Sequence, residues 1–253
     1  MTKNRSRRSR EVEKIEPSVV EKALTHPRSI KTLSPRNQRQ EDYLRAIDNN
    51  TLTIAHGAAG SGKTWLAVYQ ALKHHFSKTH KMKRIIISRP AVEAGERLGF
   101  LPGTLEDKVD PYMRPIYDAL YDLLGIELAK QKIERGYIEI APIGFLRGRT
   151  FKDAFVIIDE AQNATYPQLK MVVTRIGENC KMVLTGDPSQ SDLPKGMESG
   201  LIKLAEIIKE KNVEDVGIVS FGREDVVRSK IVTDLVSAFE DYEKLHPTGS
   251  NGR

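Results

Sequence analysis

The chain has 253 residues, of which 29% are charged and 39% are hydrophobic, and its formal net charge is +6. No apolar run approaches the roughly 18–20 residues that a membrane-spanning helix needs, and no hydrophobic signal core follows the charged N-terminus. The single cysteine, Cys180, cannot form an internal disulfide, so the composition argues against membrane and disulfide-framework classes and predicts a cytoplasmic protein with a passive, buried thiol.

The positive charge is concentrated in the first residues. Residues 1–10 hold five basic side chains and no acid, so the rest of the chain carries a net charge of only +1. A polar segment of this kind is attracted to nucleic-acid phosphates or serves to keep a protein soluble, and both roles stay open. We expect a basic, mostly flexible leader at residues 1–32, one domain at residues 33–245 and a frayed tail at residues 246–253.

Strand and helix patterns alternate after the leader. A helical pattern covers residues 38–47, and apolar runs predict strands at residues 52–55, 84–88, 137–141, 154–158, 181–185 and 216–220. Helical patterns fill residues 62–76, 111–124, 126–134, 166–176, 198–209 and 225–239. Strands that are apolar without alternation, such as the isoleucines at 85–87, are covered on both faces of a sheet. This order predicts an α/β fold with a mainly parallel, doubly wound sheet and helices on both faces.

The first predicted strand leads into Gly-Ala-Ala-Gly-Ser-Gly-Lys-Thr, a full match to the phosphate-binding pattern GxxxxGK[ST]. Its glycines can adopt backbone angles that turn successive N–H groups onto an anion. Lys63 can reach the β- and γ-phosphates, and the hydroxyl of Thr64 can bind Mg²⁺. The next helix points its positive N-terminus at the same place, so the sequence predicts a nucleoside triphosphate site. The residues predicted to contact the nucleotide are Gly57, Ala58, Ala59, Gly60, Ser61, Gly62, Lys63 and Thr64.

Two later strands end in polar residues. The strand at 154–158 is followed by Asp159 and Glu160, of which Asp159 can hold Mg²⁺ beside Thr64 and Glu160 can deprotonate an attacking water. The strand at 181–185 is followed by Gly-Asp-Pro-Ser-Gln, where Gln190 can contact the γ-phosphate or the water, unless the segment is a plain turn. Since α/β sheets bind ligands at the carboxyl ends of strands, we expect these residues to meet. The acid pair favours water over a small-molecule acceptor.

These motifs together resemble the PhoH family, which is related to the nucleotide-binding core of superfamily 1 helicases. The resemblance covers about residues 33–240. It implies a single RecA-like P-loop NTPase domain, ATPase activity and an association with RNA. It also implies that Asn-Gln-Arg-Gln at residues 37–40 reads adenine, with Gln40 as the base contact. The segments that carry it are SRPAVEAGERLGFLPG at 88–103, RGRT at 147–150, AFVIIDEAQN at 154–163, TGDPSQ at 185–190 and DVVR at 225–228.

The long segment at residues 88–103 begins at a strand end, and loops of this length serve binding more often than packing. In helicase-like domains the equivalent loop follows the nucleic-acid backbone, so Arg89 and Arg97 are candidate phosphate contacts, with contact to a neighbouring subunit as the competing use. Arg147 and Arg149 are similar candidates unless they form salt bridges. The sequence thus favours Mg²⁺-dependent ATP hydrolysis coupled to binding or remodelling of RNA or single-stranded nucleic acid. The alternatives are a nucleotide-gated binding module with little turnover and a P-loop kinase.

The resemblance also bears on assembly. Superfamily 1 helicases close the site with arginines from a second RecA-like domain, and this chain has room for one such domain. An arginine that neutralises charge on the γ-phosphate is worth roughly 10³–10⁵ in rate, and a neighbouring subunit can supply it through head-to-tail contacts that close into a ring. We therefore expect a homo-oligomer, with a hexameric ring favoured. Arg223 and Arg228 are the candidate arginines; Arg228 could act within its own subunit, and both could form surface salt bridges instead.

Overall fold

The computed structural model describes residues 30–31, 33–79, 82–90, 105–194, 196–227 and 230–245. Most of the predicted leader, the predicted tail, Arg97 and Arg228 lie outside these residues. Within the described part of the chain, no helix combines the length and the apolar character needed to span a membrane.

Helices and strands alternate along the described chain. Short 3₁₀ turns lie at Ile143–Leu146, Ala161–Asn163 and Arg223–Asp225. The elements in chain order are α1 (Gln38–Asn49), β1 (Leu52–Gly57), α2 (Lys63–Phe76), β2 (Arg84–Arg89), α3 (Leu105–Leu124), α4 (Ile126–Glu134), β3 (Ile138–Pro142), β4 (Ala154–Ile158), α5 (Tyr166–Val173), β5 (Cys180–Gly186), α6 (Gly200–Glu210), β6 (Val216–Phe221) and α7 (Lys230–Leu245).

The six strands form one sheet in the order β3-β2-β4-β5-β1-β6, and every neighbouring pair is parallel. This confirms the predicted parallel α/β fold. The carboxyl ends of β2, β4, β5 and β1 consequently lie side by side at one edge of the sheet. The chain order and the spatial order differ, so residues far apart in sequence are brought together at that edge.

Apolar side chains fill both faces of the sheet. Ile85 and Ile87 of β2 belong to the core under α1–α4, whereas Ile86 belongs to the core under α5 and α6. Full burial of each such side chain contributes about 1.5–3 kcal/mol, which explains why these strands are apolar at every position. The predicted helices on both faces are therefore confirmed.

The predicted strand limits agree with the structure to within two residues, whereas four helix limits differ by three residues or more. The helix ends predicted at residues 176 and 239 lie at Val173 and Leu245. Helix α3 begins at Leu105 rather than at residue 111. The predicted helix start at residue 225 is wrong, because Asp225 closes a 3₁₀ turn and α7 begins at Lys230. The Asp225 carboxylate accepts a hydrogen bond of 2.9 Å from the N–H of Gly222, and such a local bond stabilises a turn against helix.

Candidate nucleotide site

The carboxyl ends of β1, β4 and β5 surround a cleft of about 260 Å³. The loop after β1, the acids after β4 and the segment after β5 form its walls. The structure thus brings the predicted phosphate-loop, acidic and glutamine residues to one place. The residues that line this cleft are Ala59, Gly60, Gly62, Lys63, Thr64, Trp65, Asp159, Glu160, Gly186, Asp187 and Gln190. We call it the nucleotide cleft.

The phosphate loop is fixed by its neighbours as well as by its own glycines. Gly57 has φ +124°, and a Cβ built there would lie 2.0 Å from the carbonyl oxygen of Phe221 in β6. No other residue fits so close an approach. The N–H of Ala58 donates to that same carbonyl at 3.1 Å, and the N–H of Val227 donates to Gly60 O at 3.1 Å. The segment that contains and follows the end of β6 therefore braces the loop.

Lys63 opens α2 and is 8% exposed. Its ammonium donates to the carbonyl oxygens of Gly57 at 2.7 Å and Ala58 at 2.8 Å. Burial lowers the pKa of Lys63, and the nearby carboxylates of Asp187, Glu160 and Asp159 partly oppose that shift. A buried ammonium held mainly by carbonyls is well suited to pair with an anion that enters the cleft.

Asp159 is the residue that fits a magnesium ion. It is 1% exposed, and its Oδ1 accepts hydrogen bonds of 2.6 Å from the hydroxyls of Thr64 and Thr185. Its Oδ2 is buried without a hydrogen bond among the described residues; Arg89 Nε lies 3.2 Å away, but the two are not aligned to form one. Mg²⁺ prefers one or two protein oxygens together with substrate phosphates and water. The Asp159 carboxylate and the Thr64 hydroxyl provide such a donor set.

Glu160 lies at the mouth of the nucleotide cleft in a strained backbone conformation, with φ +50°. For a residue with a side chain, the left-handed region costs of order 1–3 kcal/mol and recurs at functional sites. Its Oε1 accepts a hydrogen bond of 2.8 Å from Arg89 Nη2, and its Oε2 accepts one from the amide of Gln162. The side chain of Glu160 is 37% exposed, so a water can reach it.

Sequence reasoning missed two residues that connect the walls of the cleft. Asp187 Oδ2 accepts a hydrogen bond of 3.0 Å from the N–H of Ala59, which joins the segment after β5 to the phosphate loop. Gln162 is 1% exposed and accepts from the N–H of Asp187 at 3.1 Å while it donates to Glu160. Both residues stand in motifs that the sequence showed, and their position just after strands was the available signal.

Gln40 contacts the phosphate loop through Ser61 without lining the nucleotide cleft. Its Nε2 donates to Ser61 O at 3.0 Å, and its Oε1 accepts from the N–H of Arg36 at 2.8 Å. Gln40 is 5% exposed and is not among the residues that line the nucleotide cleft. The structure gives this side chain a role in holding the loop, and its role as a base contact stays a prediction.

The arginines proposed from sequence divide into different environments. Arg89 pairs with Glu160 and Asp159. The guanidinium of Arg149 pairs with both carboxylate oxygens of Glu139, which matches the salt-bridge alternative for that residue. Arg147 and Arg223 are exposed. Arg97 and Arg228 lie outside the described residues.

The single cysteine lies in the buried part of the described chain. Cys180 is 5% exposed, and burial raises the pKa of its thiol to about 11, in keeping with the predicted passive thiol. The residues that the structure describes hold no group of three or more His, Cys, Asp or Glu able to bind a metal ion.

Comparisons with known proteins find similar sequences over most of the chain. The family described as "PhoH-like protein" matches residues 32–240. A PhoH-like protein of Mycobacterium tuberculosis is 49% identical over 214 residues, covering 85% of this chain and 60% of the relative. One of Bacillus subtilis is 47% identical over 223 residues, covering 88% of this chain and 69% of the relative. The chain thus spans about 60–70% of the length of these curated relatives.

A solved structure confirms the fold independently. The large terminase of bacteriophage HK97 superposes with a TM-score of 0.51 at 13% identity, over 89% of this chain and 52% of that chain. At this identity the likeness bears on the fold alone, and it supports the observed arrangement of the sheet and its flanking helices.

Proposed function

This chain belongs to the PhoH family, and on that premise we propose that it is a cytoplasmic, Mg²⁺-dependent ATPase whose turnover is coupled to binding or remodelling of RNA or single-stranded nucleic acid. The observation that carries the proposal is the nucleotide cleft. There a buried cation, a buried acid beside a hydroxyl and a more exposed acid converge, and these are the parts that phosphoryl transfer from a nucleoside triphosphate requires.

Each residue of the cleft has a role in this proposal. Lys63 and the loop N–H groups hold the phosphates, and Asp159 with Thr64 holds Mg²⁺, which neutralises charge on the phosphate oxygens when bound. Glu160 accepts the proton of the attacking water, and Gln190 contacts the γ-phosphate or that water. Gln40 is retained as the candidate adenine contact, although it would first have to exchange its bond to Ser61.

Hydrolysis is favoured over transfer to a small acceptor by the surroundings of Glu160. The Glu160 carboxylate at the mouth of the cleft is 37% exposed and therefore open to water. The coupling to nucleic acid is supported by the five basic residues among residues 1–10 and by Arg89, Arg97 and Arg147 as candidate phosphate contacts. Arg149 stays a weaker candidate because Glu139 neutralises it.

One assay separates the proposal from its alternatives: release of inorganic phosphate from ATP and Mg²⁺, measured with and without single-stranded RNA. An RNA-stimulated ATPase releases phosphate faster when RNA is present. A nucleotide-gated binding module binds ATP and RNA with negligible release, and a kinase consumes ATP without free phosphate only when its acceptor is supplied. Lys63→Ala is the control for contaminating ATPase.

We further propose that the working unit is a homo-oligomeric ring, most simply a hexamer, in which Arg223 or Arg228 of one subunit completes the site of the next. Mixing Lys63→Ala subunits with Arg228→Ala subunits is the first test, and Arg223→Ala is tested the same way. If the arginine acts in trans, mixed rings regain activity at interfaces where an intact loop meets an intact arginine. A monomer by light scattering that hydrolyses ATP at the full rate contradicts the ring.

A further inference from the structure

A second cleft, of about 560 Å³, adjoins the nucleotide cleft at the same edge of the sheet. Glu160 and Gln190 line both clefts, whereas Arg89 lines only the second. Among the described residues that line the second cleft, Arg89 is the only cation, and Glu160 and Asp192 are the only carboxylates. Glu160 therefore sits between the two clefts, with Arg89 on its far side.

Arg89 is held by three groups at the end of β2. Its Nη2 donates to Glu160 Oε1 at 2.8 Å, its Nε lies 3.2 Å from Asp159 Oδ2, and its Nη1 donates to Tyr112 O in α3 at 2.7 Å. The side chain is 16% exposed, so it lies at the surface of the second cleft without being free in solution. The strand order explains this contact, because β2 lies next to β4 in the sheet.

In this arrangement each oxygen of the residue that we assign as general base already accepts one hydrogen bond. Arg89 holds Oε1 and Gln162 holds Oε2. A general base must offer a lone pair to the water that it deprotonates, within hydrogen-bond reach. While the guanidinium and the amide both donate to Glu160, neither oxygen is fully available for that task.

We infer that Arg89 restrains Glu160 through their ion pair, which we call the latch. The phosphodiester backbone of a single-stranded nucleic acid that enters the second cleft breaks this ion pair and so releases Glu160. This inference rests on the proposed function and assigns the coupling to one ion pair. A phosphate that enters the second cleft meets one described cation and two carboxylates. It binds there by taking the guanidinium, in the bidentate geometry that Arg offers to phosphate, and thereby frees Glu160 Oε1 for water.

The latch makes a thermodynamic prediction that needs neither ATP nor Mg²⁺. If nucleic acid must remove Arg89 from Glu160, then abolishing the negative charge of Glu160 makes Arg89 more available, because coupling between two interactions is reciprocal. Glu160→Gln should therefore bind a fluorescein-labelled oligouridylate about fivefold or more tightly than the wild type, at fixed salt, in a nucleotide-free anisotropy titration.

Two variants separate the latch from a general change in charge. Asp192→Asn removes the other carboxylate of the second cleft, which accepts a hydrogen bond from the amide of Asn163, so it should give a clearly smaller gain. Arg89→Gln should bind the oligonucleotide more weakly than the wild type. In the Arg89→Gln background, Glu160→Gln should add no more affinity than Asp192→Asn does in the wild type.

The results of these titrations distinguish failure of the latch from failure of the proposed function. Equal gains from Glu160→Gln and Asp192→Asn, or a gain that persists without Arg89, overturn the latch and leave the proposed function standing. Absence of binding in every variant overturns both. In the phosphate-release assay, Arg89→Gln should turn over ATP faster than the wild type without RNA and should lose most of the stimulation by RNA. Basal turnover that falls in parallel with stimulated turnover means that Arg89 positions Glu160 for catalysis and does not restrain it.

Discussion

Lys63 and Lys132 are both buried, Lys63 among polar groups and Lys132 against aromatic rings. Lys63, 8% exposed, lies among carbonyls and within electrostatic reach of three carboxylates at the open edge of the sheet. Lys132 of α4, 1% exposed, lies over the rings of Phe76 and Tyr137, with its ammonium 4.6 Å and 4.5 Å from their centroids.

The partner of Lys132 is an imidazole. His75 Nε2 lies 2.8 Å from the ammonium, and His75 Nδ1 lies 2.8 Å from Met82 O. Since a carbonyl only accepts, Nδ1 donates to Met82 O, and Nε2 can accept a hydrogen bond from the ammonium of Lys132. Lys132 therefore joins α4 to α2 through His75 and Phe76. His75 in turn joins α2 to Met82, in the chain before β2.

The comparison separates a lysine that serves binding from one that serves the fold. Burial lowers the pKa of Lys63, so the folded protein disfavours its charged form relative to water, and at neutral pH that charge does not stabilise the fold. Lys132 is 1% exposed, so its contacts lie in the protein interior. Exposed counterparts on the same helices, Lys73 in α2 and Lys130 in α4, provide matched controls.

Lys63→Ala tests the first half of the comparison and has the largest expected effect. Without the ammonium, ATP affinity and turnover should fall together, with a loss of rate on the order of 10²-fold or more. The midpoint of thermal unfolding should stay close to that of the wild type, because this charge does not stabilise the fold. Calorimetric ATP titration and phosphate release measure both quantities. Lys73→Ala should leave them unchanged, and near-normal hydrolysis by Lys63→Ala removes the basis for the proposed function.

Glu160→Gln sharpens the comparison within the site. The substitution keeps the shape and hydrogen bonding but removes the base, so ATP should still bind while turnover drops by roughly 10²–10⁴-fold. Single-turnover phosphate release together with ATP titration measures this split. Glu139→Gln is the control, because Glu139 pairs with Arg149 and does not line the nucleotide cleft. Parallel loss of binding and turnover would instead make Glu160 structural or a ligand of the metal.

The two lysines also show which positions in the structure could be predicted from the sequence and which could not. Lys63 belongs to the GxxxxGK[ST] pattern, which adopts one characteristic backbone geometry. Its position at the start of a helix beside Thr64 could therefore be predicted. The six strands were equally accessible, because runs such as Ile85–Ile87 are apolar at every position and fit only a sheet covered on both faces.

The contacts between strands were not accessible in the same way. Arg89 contacts Glu160 because β2 lies beside β4 in the sheet. Local sequence patterns do not specify this order of strands. Lys132 gave no signal either, since a lysine in an amphipathic helix normally faces water. The contact with His75 arises from how α4 packs beside the end of α2, a tertiary relation that periodicity does not specify.

Lys132→Met tests the second half of the comparison and has the smallest expected effect on activity. The substitution leaves His75 Nε2 without its donor and removes a cation from two aromatic faces, so the free energy of unfolding should fall by about 1–3 kcal/mol. Turnover and ATP affinity should stay within about twofold of the wild type, since neither Lys132 nor the residues it contacts line the nucleotide cleft. Thermal unfolding should show a midpoint lower by about 2–4 °C for each kcal/mol lost.

The thiol of Cys180 gives an independent readout of the same change. Its pKa of about 11 and its burial at the start of β5 make it unreactive in the folded protein, so labelling by a thiol reagent reports opening of the sheet. If Lys132→Met destabilises the whole fold by the expected amount, labelling should accelerate about 5- to 140-fold, as 1.4 kcal/mol corresponds to a factor of ten. Lys130→Met should label at the wild-type rate. Labelling and melting that do not change in Lys132→Met, or turnover that falls with them, would contradict the division between a binding lysine and a folding lysine.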